Sequence, residues 1–97
     1  MNLLWRKNKM KKLNLGCGTD IKKGYVNLDS AKLPGVDVIH DINKTPWPFK
    51  DNEFDELYCS HVLEHVDDLI KTLNEIKRVC KKNAKIILRL PHFSCGV

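Results

Sequence analysis

A chain of 97 residues is long enough for one small domain and too short for two. With 42% hydrophobic and 30% charged residues it has the balance of an ordinary soluble domain, and no apolar run reaches membrane-spanning length. Four cysteines (Cys17, Cys59, Cys80 and Cys95) form no C-x-x-C pair, which argues against a disulfide framework and a zinc ribbon and for a reducing, cytoplasmic setting.

The net charge is +5, and Arg6, Lys7, Lys9, Lys11 and Lys12 crowd a basic arm over residues 1–12. No aromatic alternates with these cations as a stacking platform for bases requires. The arm therefore reads as a solvated tail before it reads as a grip on RNA or DNA. Leu3-Leu4-Trp5 is too short for a signal-peptide core.

The first strand is expected over 11–16, where Leu13-Asn14-Leu15 runs into Gly16-Cys17-Gly18. A turn without Cβ atoms follows it directly. Residues 25–29 predict a second strand ending on Asp29, and 36–42 a β-branched third strand that carries Asp41 near its end. Pro46 and Pro48 make 44–49 a loop. Trp47 and Phe49 within it are expected to cover the sheet rather than stack a substrate. A fourth strand is expected over 54–60.

One helix is predicted over 66–82. Leu69, Ile70, Leu73, Ile76, Val79 and Cys80 recur at helical spacing, and Asn83 can take a left-handed stop. Lys85 to Leu90 predict a fifth strand closed by Pro91. The expected fold is α/β, a mostly parallel, Rossmann-like sheet of about five strands. Connections 19–24 and 30–35 are too short for full helices. Extended crossovers of roughly 23–25 Å reach are expected instead, leaving one face thinly covered and open to a partner or a second copy.

The carboxyl ends of parallel strands are where ligands bind. Gly16 and Gly18 after strand one, with Asp29 and Asp41 ending strands two and three, suit a nucleoside better than any of them does alone. A dinucleotide fingerprint would require a third glycine where Ile21 stands, and an acid further on than Asp29.

Leu13 to Gly18, Gly24 to Asp29, Pro48 to Asp55 and His61-Val62-Leu63-Glu64-His65 together resemble the successive motifs of class I S-adenosylmethionine-dependent methyltransferases. They are closest to the small type 11 domains, over about residues 12–93. The resemblance implies S-adenosylmethionine as cofactor. It places the methionine moiety along the Leu15, Gly16, Cys17 and Gly18 backbone, the ribose hydroxyls on Asp29, and the adenine against Asp41 and Ile42. Ser60 and His61 would border the sulfonium. His61 is the first candidate to take a proton from a hydroxyl or amine acceptor, and His92 the second. The methyl acceptor is open.

Three features depart from the family pattern. Asn14 stands where an acid is common, no helix fits after the glycine turn, and Lys82-Asn83-Ala84 replaces Pro-Gly-Gly. Family members also continue into two further strands, so a partial domain is expected. A cofactor-binding chain without turnover and a basic RNA-binding module are the alternative readings. His61 to His65 also spells H-x-x-E-H, a zinc pattern that needs a helix, whereas here it begins at a strand end; no metal is assigned. Leu63 and His65 are expected to form a packed elbow, and Cys59 and Cys80 to be core residues.

Overall fold

The computed structural model describes residues 10–90. Five strands form one parallel sheet: β1 (Lys12–Leu15), β2 (Val26–Asp29), β3 (Val38–Ile39), β4 (Phe54–Ser60) and β5 (Cys80–Arg89), in the order β3-β2-β1-β4-β5. A 3-10 turn at Leu63–His65 and one helix, α1 (Leu69–Val79), connect β4 to β5. The short early crossovers contain no helix, as their length requires. His92, Cys95 and most of the basic arm lie outside the described residues.

Register sorts the sheet into two unlike faces. Leu13, Val26, Leu57 and Ile86 share one row, and Leu15, Leu28, Cys59 and Leu88 the next. Together with Ile76 and Val79 of α1, Trp47 and Phe54, residues of these rows build the core. Leu13, Leu15, Leu28 and Leu57 are fully buried. Burying each of them contributes about 1.5–3 kcal/mol before the entropy of ordering the chain is set against it. Trp47 is buried, with its indole N–H donating to the Ile42 carbonyl at 2.9 Å, and Phe49 meets Phe54 edge-on at 4.9 Å. Both aromatics therefore serve packing, as expected.

Asn14, Asn27, Tyr58 and Ile87 alternate onto the opposite face. No crossover helix covers it; a polar clasp closes its centre. Asn14 and Asn27 are buried there. The Asn14 amide donates to the Asp20 carbonyl and to Asn27 Oδ1 at 2.8 and 2.9 Å, and Lys22 N–H donates to the same Asn27 oxygen. Asp37 accepts from the Asn27 backbone N–H at 2.7 Å. The segment that would have been a helix is thus pinned flat, with its amide groups paired. Asn14 belongs to this clasp and not to the ligand end of the sheet.

Several expectations need correction. The helix spans 69–79 and not 66–82, because Asp68 caps it by accepting from Lys71 N–H at 3.0 Å. Its end needs no left-handed residue. Asn52 and Glu53 N–H groups donate to the Arg78 and Val79 carbonyls, which satisfies the orphan acceptors from the entry of β4. Cys80 is already extended, so β5 begins there and Asn83 lies inside it. The buried helix face is also different. Thr72, Glu75, Ile76 and Val79 point inward, while Leu69 and Ile70 are exposed. Glu75 and Arg78 turn it that way. Glu75 accepts from the Trp47 N–H, and Arg78 donates to Glu75, Asp51 and the Trp47 and Phe49 carbonyls. Finally, β3 keeps only two residues of the expected seven-residue run.

Candidate functional site

Strands β2 and β3 lie on one side of β1 and β4 lies on the other, so the strand order reverses between β1 and β4. Loops that leave such a reversal diverge and open a crevice at the carboxyl ends. A cleft of about 350 Å³ lies there, lined by Gly16 after β1, Asp29 and Ser30 at β2, Asp41, Ile42 and Asn43 after β3, and His61, Val62, His65 and Val66 after β4. Its volume is within the range of small-molecule sites. Two larger depressions, of about 540 and 460 Å³, lie against α1 and share no lining residue with this cleft.

Gly16 has φ +69°, and a Cβ built on it would sit 2.5 Å from Val62 Cγ2 and 3.4 Å from Ile42 Cδ1. Only glycine fits, on both counts. Gly18 is left-handed as well, with open space around it. Its N–H donates to Asp29 Oδ1 at 3.1 Å, and Ala31 N–H donates to Asp29 Oδ2 at 2.9 Å. Asp29 therefore ties the glycine turn to the end of β2. Each carboxylate oxygen has two lone pairs, so acceptor capacity remains for a ligand. Asp41 caps its own turn by accepting from Asn43 N–H at 2.9 Å.

His61 leaves β4 in the left-handed conformation, φ +55°, with its N–H donating to the Arg89 carbonyl at 2.7 Å. A non-glycine residue in that region, at the mouth of a cleft, turns its side chain out of the strand direction. His65 is exposed on the 3-10 turn and lines the same cleft. The elbow expected at this point does pack through Leu63, which is half-buried against the core, but His65 is not part of that packing.

Of the site residues singled out in the sequence, Gly16, Asp29, Asp41, Ile42 and His61 meet in this cleft. Leu15 is wholly buried, and Cys17 is buried with its N–H donating to the Leu28 carbonyl at 2.9 Å. Burial first, and the neighbouring Asp29 charge second, push the Cys17 thiol up. It stays protonated and unreactive. Ser60 is half-buried at the end of β4, in register with Arg89. Ser30, Asn43, Val62, His65 and Val66 are the lining residues that sequence reasoning missed. For His65 the H-x-x-E-H spacing was a signal; for Ser30 and Asn43, following the two acids would have sufficed.

A bare glycine backbone, an apolar residue and two carboxylates can hold a nucleoside and orient it against two imidazoles. The Methyltransferase domain family matches residues 8–88, and the chain belongs to that family. It is 37% identical over 78 residues to the uncharacterised protein MJ1123 of Methanocaldococcus jannaschii, covering 80% of this chain and 37% of that one. The fold is similar to that of the trans-methyltransferase CalH, solved in complex with SAH, with TM-score 0.64, 18% identity and coverage of 89% of this chain and 33% of that one. It is also similar to a chain of the complex formed by the Haloferax volcanii Trm112 methyltransferase activator, with TM-score 0.61, 20% identity and coverage of 80% and 43%. The chain thus spans about a third to two fifths of the length of these relatives. Among the described residues no helix is long and apolar enough to cross a membrane.

Proposed function

We propose that the cleft binds S-adenosylmethionine and that the protein serves methyl transfer to a nucleophilic acceptor. The observation that carries this reading is the convergence of Gly16, Asp29, Asp41, Ile42 and His61 on one cleft at the strand reversal. The residues fit the cofactor's chemistry. A Cβ at Gly16 would intrude on Val62, so backbone alone faces the cleft there. The Leu15 to Gly18 turn would hold the methionine moiety, Asp29 would accept from the ribose diol, and Asp41 would accept from the adenine amino group while Ile42 packs on its ring.

When bound, the cofactor supplies a methyl group on an already activated sulfonium. The protein's tasks are then alignment and exclusion of water. Ser60 and His61, at the end of β4, would border the sulfonium. His61 Nε2 or Nδ1 would take the acceptor's proton, with His92 as the second candidate. CalH was solved with SAH, which supports the cofactor, and the second neighbour comes from a complex with a methyltransferase activator, which supports a protein partner.

Calorimetry of the purified chain with S-adenosylhomocysteine tests the reading. Saturable one-site heat is expected; no heat, together with RNA binding that falls steeply with salt, would replace it by the RNA-binding reading. Incubation with methyl-labelled cofactor and classes of acceptor then separates turnover from binding without turnover.

A further inference from the structure

The two walls of the cleft are held by separate sets of hydrogen bonds. The loop after β3 is tied down along its length. His40 N–H donates to the Asp29 carbonyl at 3.0 Å, and Lys44 N–H to the Asp41 carbonyl at 2.9 Å. Asn43 N–H donates to Asp41 Oδ1, and the Trp47 indole N–H to the Ile42 carbonyl, both at 2.9 Å. These bonds must open together for this wall to move.

The facing wall, from β4 to α1, is held at its ends. His61 N–H is fixed on the Arg89 carbonyl at 2.7 Å, and Asp68 caps α1. Between them lie the 3-10 turn and an extended Val66. His65 N–H donates to the Val62 carbonyl at 2.9 Å, but Val66 N–H reaches the Leu63 carbonyl only at 3.5 Å, beyond the ordinary range.

Among the described residues one hydrogen bond crosses from wall to wall: Asp67 N–H donates to Asn43 Oδ1 at 2.9 Å. Asn43 lines the cleft and also an adjoining cavity of about 120 Å³, which Asp67, Asp68, Lys71 and Thr72 line from the other side. The bond is therefore part of the partition between the two spaces. The Asp41 turn uses only the backbone N–H of Asn43, so turn capping does not account for the side chain.

We propose that Asn43 is a positioning residue. Its side chain joins the wall of Asp41 and Ile42 to the wall of His61, His65 and Val66, and so fixes the width of the cleft for the cofactor. The inference rests on the reading of this cleft as an S-adenosylmethionine site. The joint needs an acceptor oxygen at this reach. Aspartate supplies one and alanine does not. Aspartate lacks the amide NH₂, so a direct grip on the ligand through Nδ2 would not survive that change.

The test uses the 97-residue chain, Asn43→Ala and Asn43→Asp, with urea unfolding to establish that both variants are folded. Site-resolved amide exchange is read at Asp67 in the free proteins, and S-adenosylhomocysteine affinity by calorimetry. The Asp67 amide is expected to exchange slowly in wild type and Asn43→Asp, and about tenfold faster in Asn43→Ala. Affinity is expected to fall about fivefold in Asn43→Ala and to stay within about twofold of wild type in Asn43→Asp. Equal exchange at Asp67 in all three proteins, or full affinity in Asn43→Ala, overturns the proposal. So does weak binding by Asn43→Asp with a slow Asp67 amide, which makes Asn43 a direct ligand contact. No heat with wild type refutes the cofactor reading instead, and the exchange rates still decide whether Asn43 joins the walls.

Discussion

Replacing Gly16 by alanine tests the crowded turn at the centre of the cleft. Two costs add. An L-residue at φ +69° loses about 1–2 kcal/mol in the left-handed region. The new Cβ would lie 2.5 Å from Val62 Cγ2, a contact that must be relieved by moving a side chain wedged between β1 and the 3-10 turn. Overpacking of that kind costs about 1–3 kcal/mol. The sum, about 2–5 kcal/mol, is a large share of a small domain's stability. Gly18→Ala is the internal control. It has φ +54° but meets nothing within 4 Å, so only the backbone cost of about 1–2 kcal/mol applies. Urea unfolding followed by circular dichroism gives both values. Adding Val62→Ala to Gly16→Ala should recover part of the loss, and the double-mutant cycle isolates the contact. If the two alanine variants are equally destabilised and Val62→Ala rescues nothing, the close packing of Gly16 on Val62 is wrong.

Other expectations follow from the clasp, the helix anchor and the thiols. Asn14→Asp sets a carboxylate against two acceptors in a buried site and should destabilise the fold by about 2–4 kcal/mol at neutral pH, with the loss shrinking as acid protonates it. Arg78→Met removes the donors to Glu75, Trp47 and Phe49 and should cost about 2–4 kcal/mol by urea unfolding, partial exposure having trimmed the value of a buried pair. The Arg78 hydrogen bond holds the Glu75 carboxyl below its ordinary value. Its contribution is therefore full above about pH 4.3 and fades as pH falls further, so thermal melts of Glu75→Gln should converge on wild type in acid. Burial pushes Cys59 up to about 12 and Cys80 up to about 11. Peptide mapping after iodoacetamide at pH 8 should find both unmodified in the native chain and modified in urea.

Much of the fold was legible because parallel strands are local apolar runs. β4 fell where its sequence placed it, and β1 and β2 within a residue or so. The strand-end rule then put Asp29 and Asp41 beside Gly16 without coordinates. What failed depended on long-range pairing. The apolar periodicity of residues 69–80 pointed to Leu69 and Ile70 as buried, yet Glu75 and Thr72 take the inward face, because Glu75 binds the Trp47 N–H from a loop distant in sequence. The helix stop failed for a related reason: the β4 entry caps it, which no residue after Val79 announces. His65 was assigned to packing because a 3-10 turn and a helix start look alike in sequence, and only the turn leaves the imidazole on the cleft wall. The thin face was foreseen from the short crossovers, but the Asn14–Asn27 clasp that closes its centre was not, because it joins side chains from two strands and a loop.

An amide-resolved NMR titration with S-adenosylhomocysteine tests the central claim most directly, since it reports both whether the adenosyl group binds and where. Saturable shifts centred on Gly16, Gly18, Asp29, Ser30, Ile42 and His61, lost in Asp29→Ala while the fold persists, are the predicted result. Absence of shifts at tenfold excess, or shifts clustered on the Asn14–Asn27 face or along β5 with the cleft silent, would contradict it.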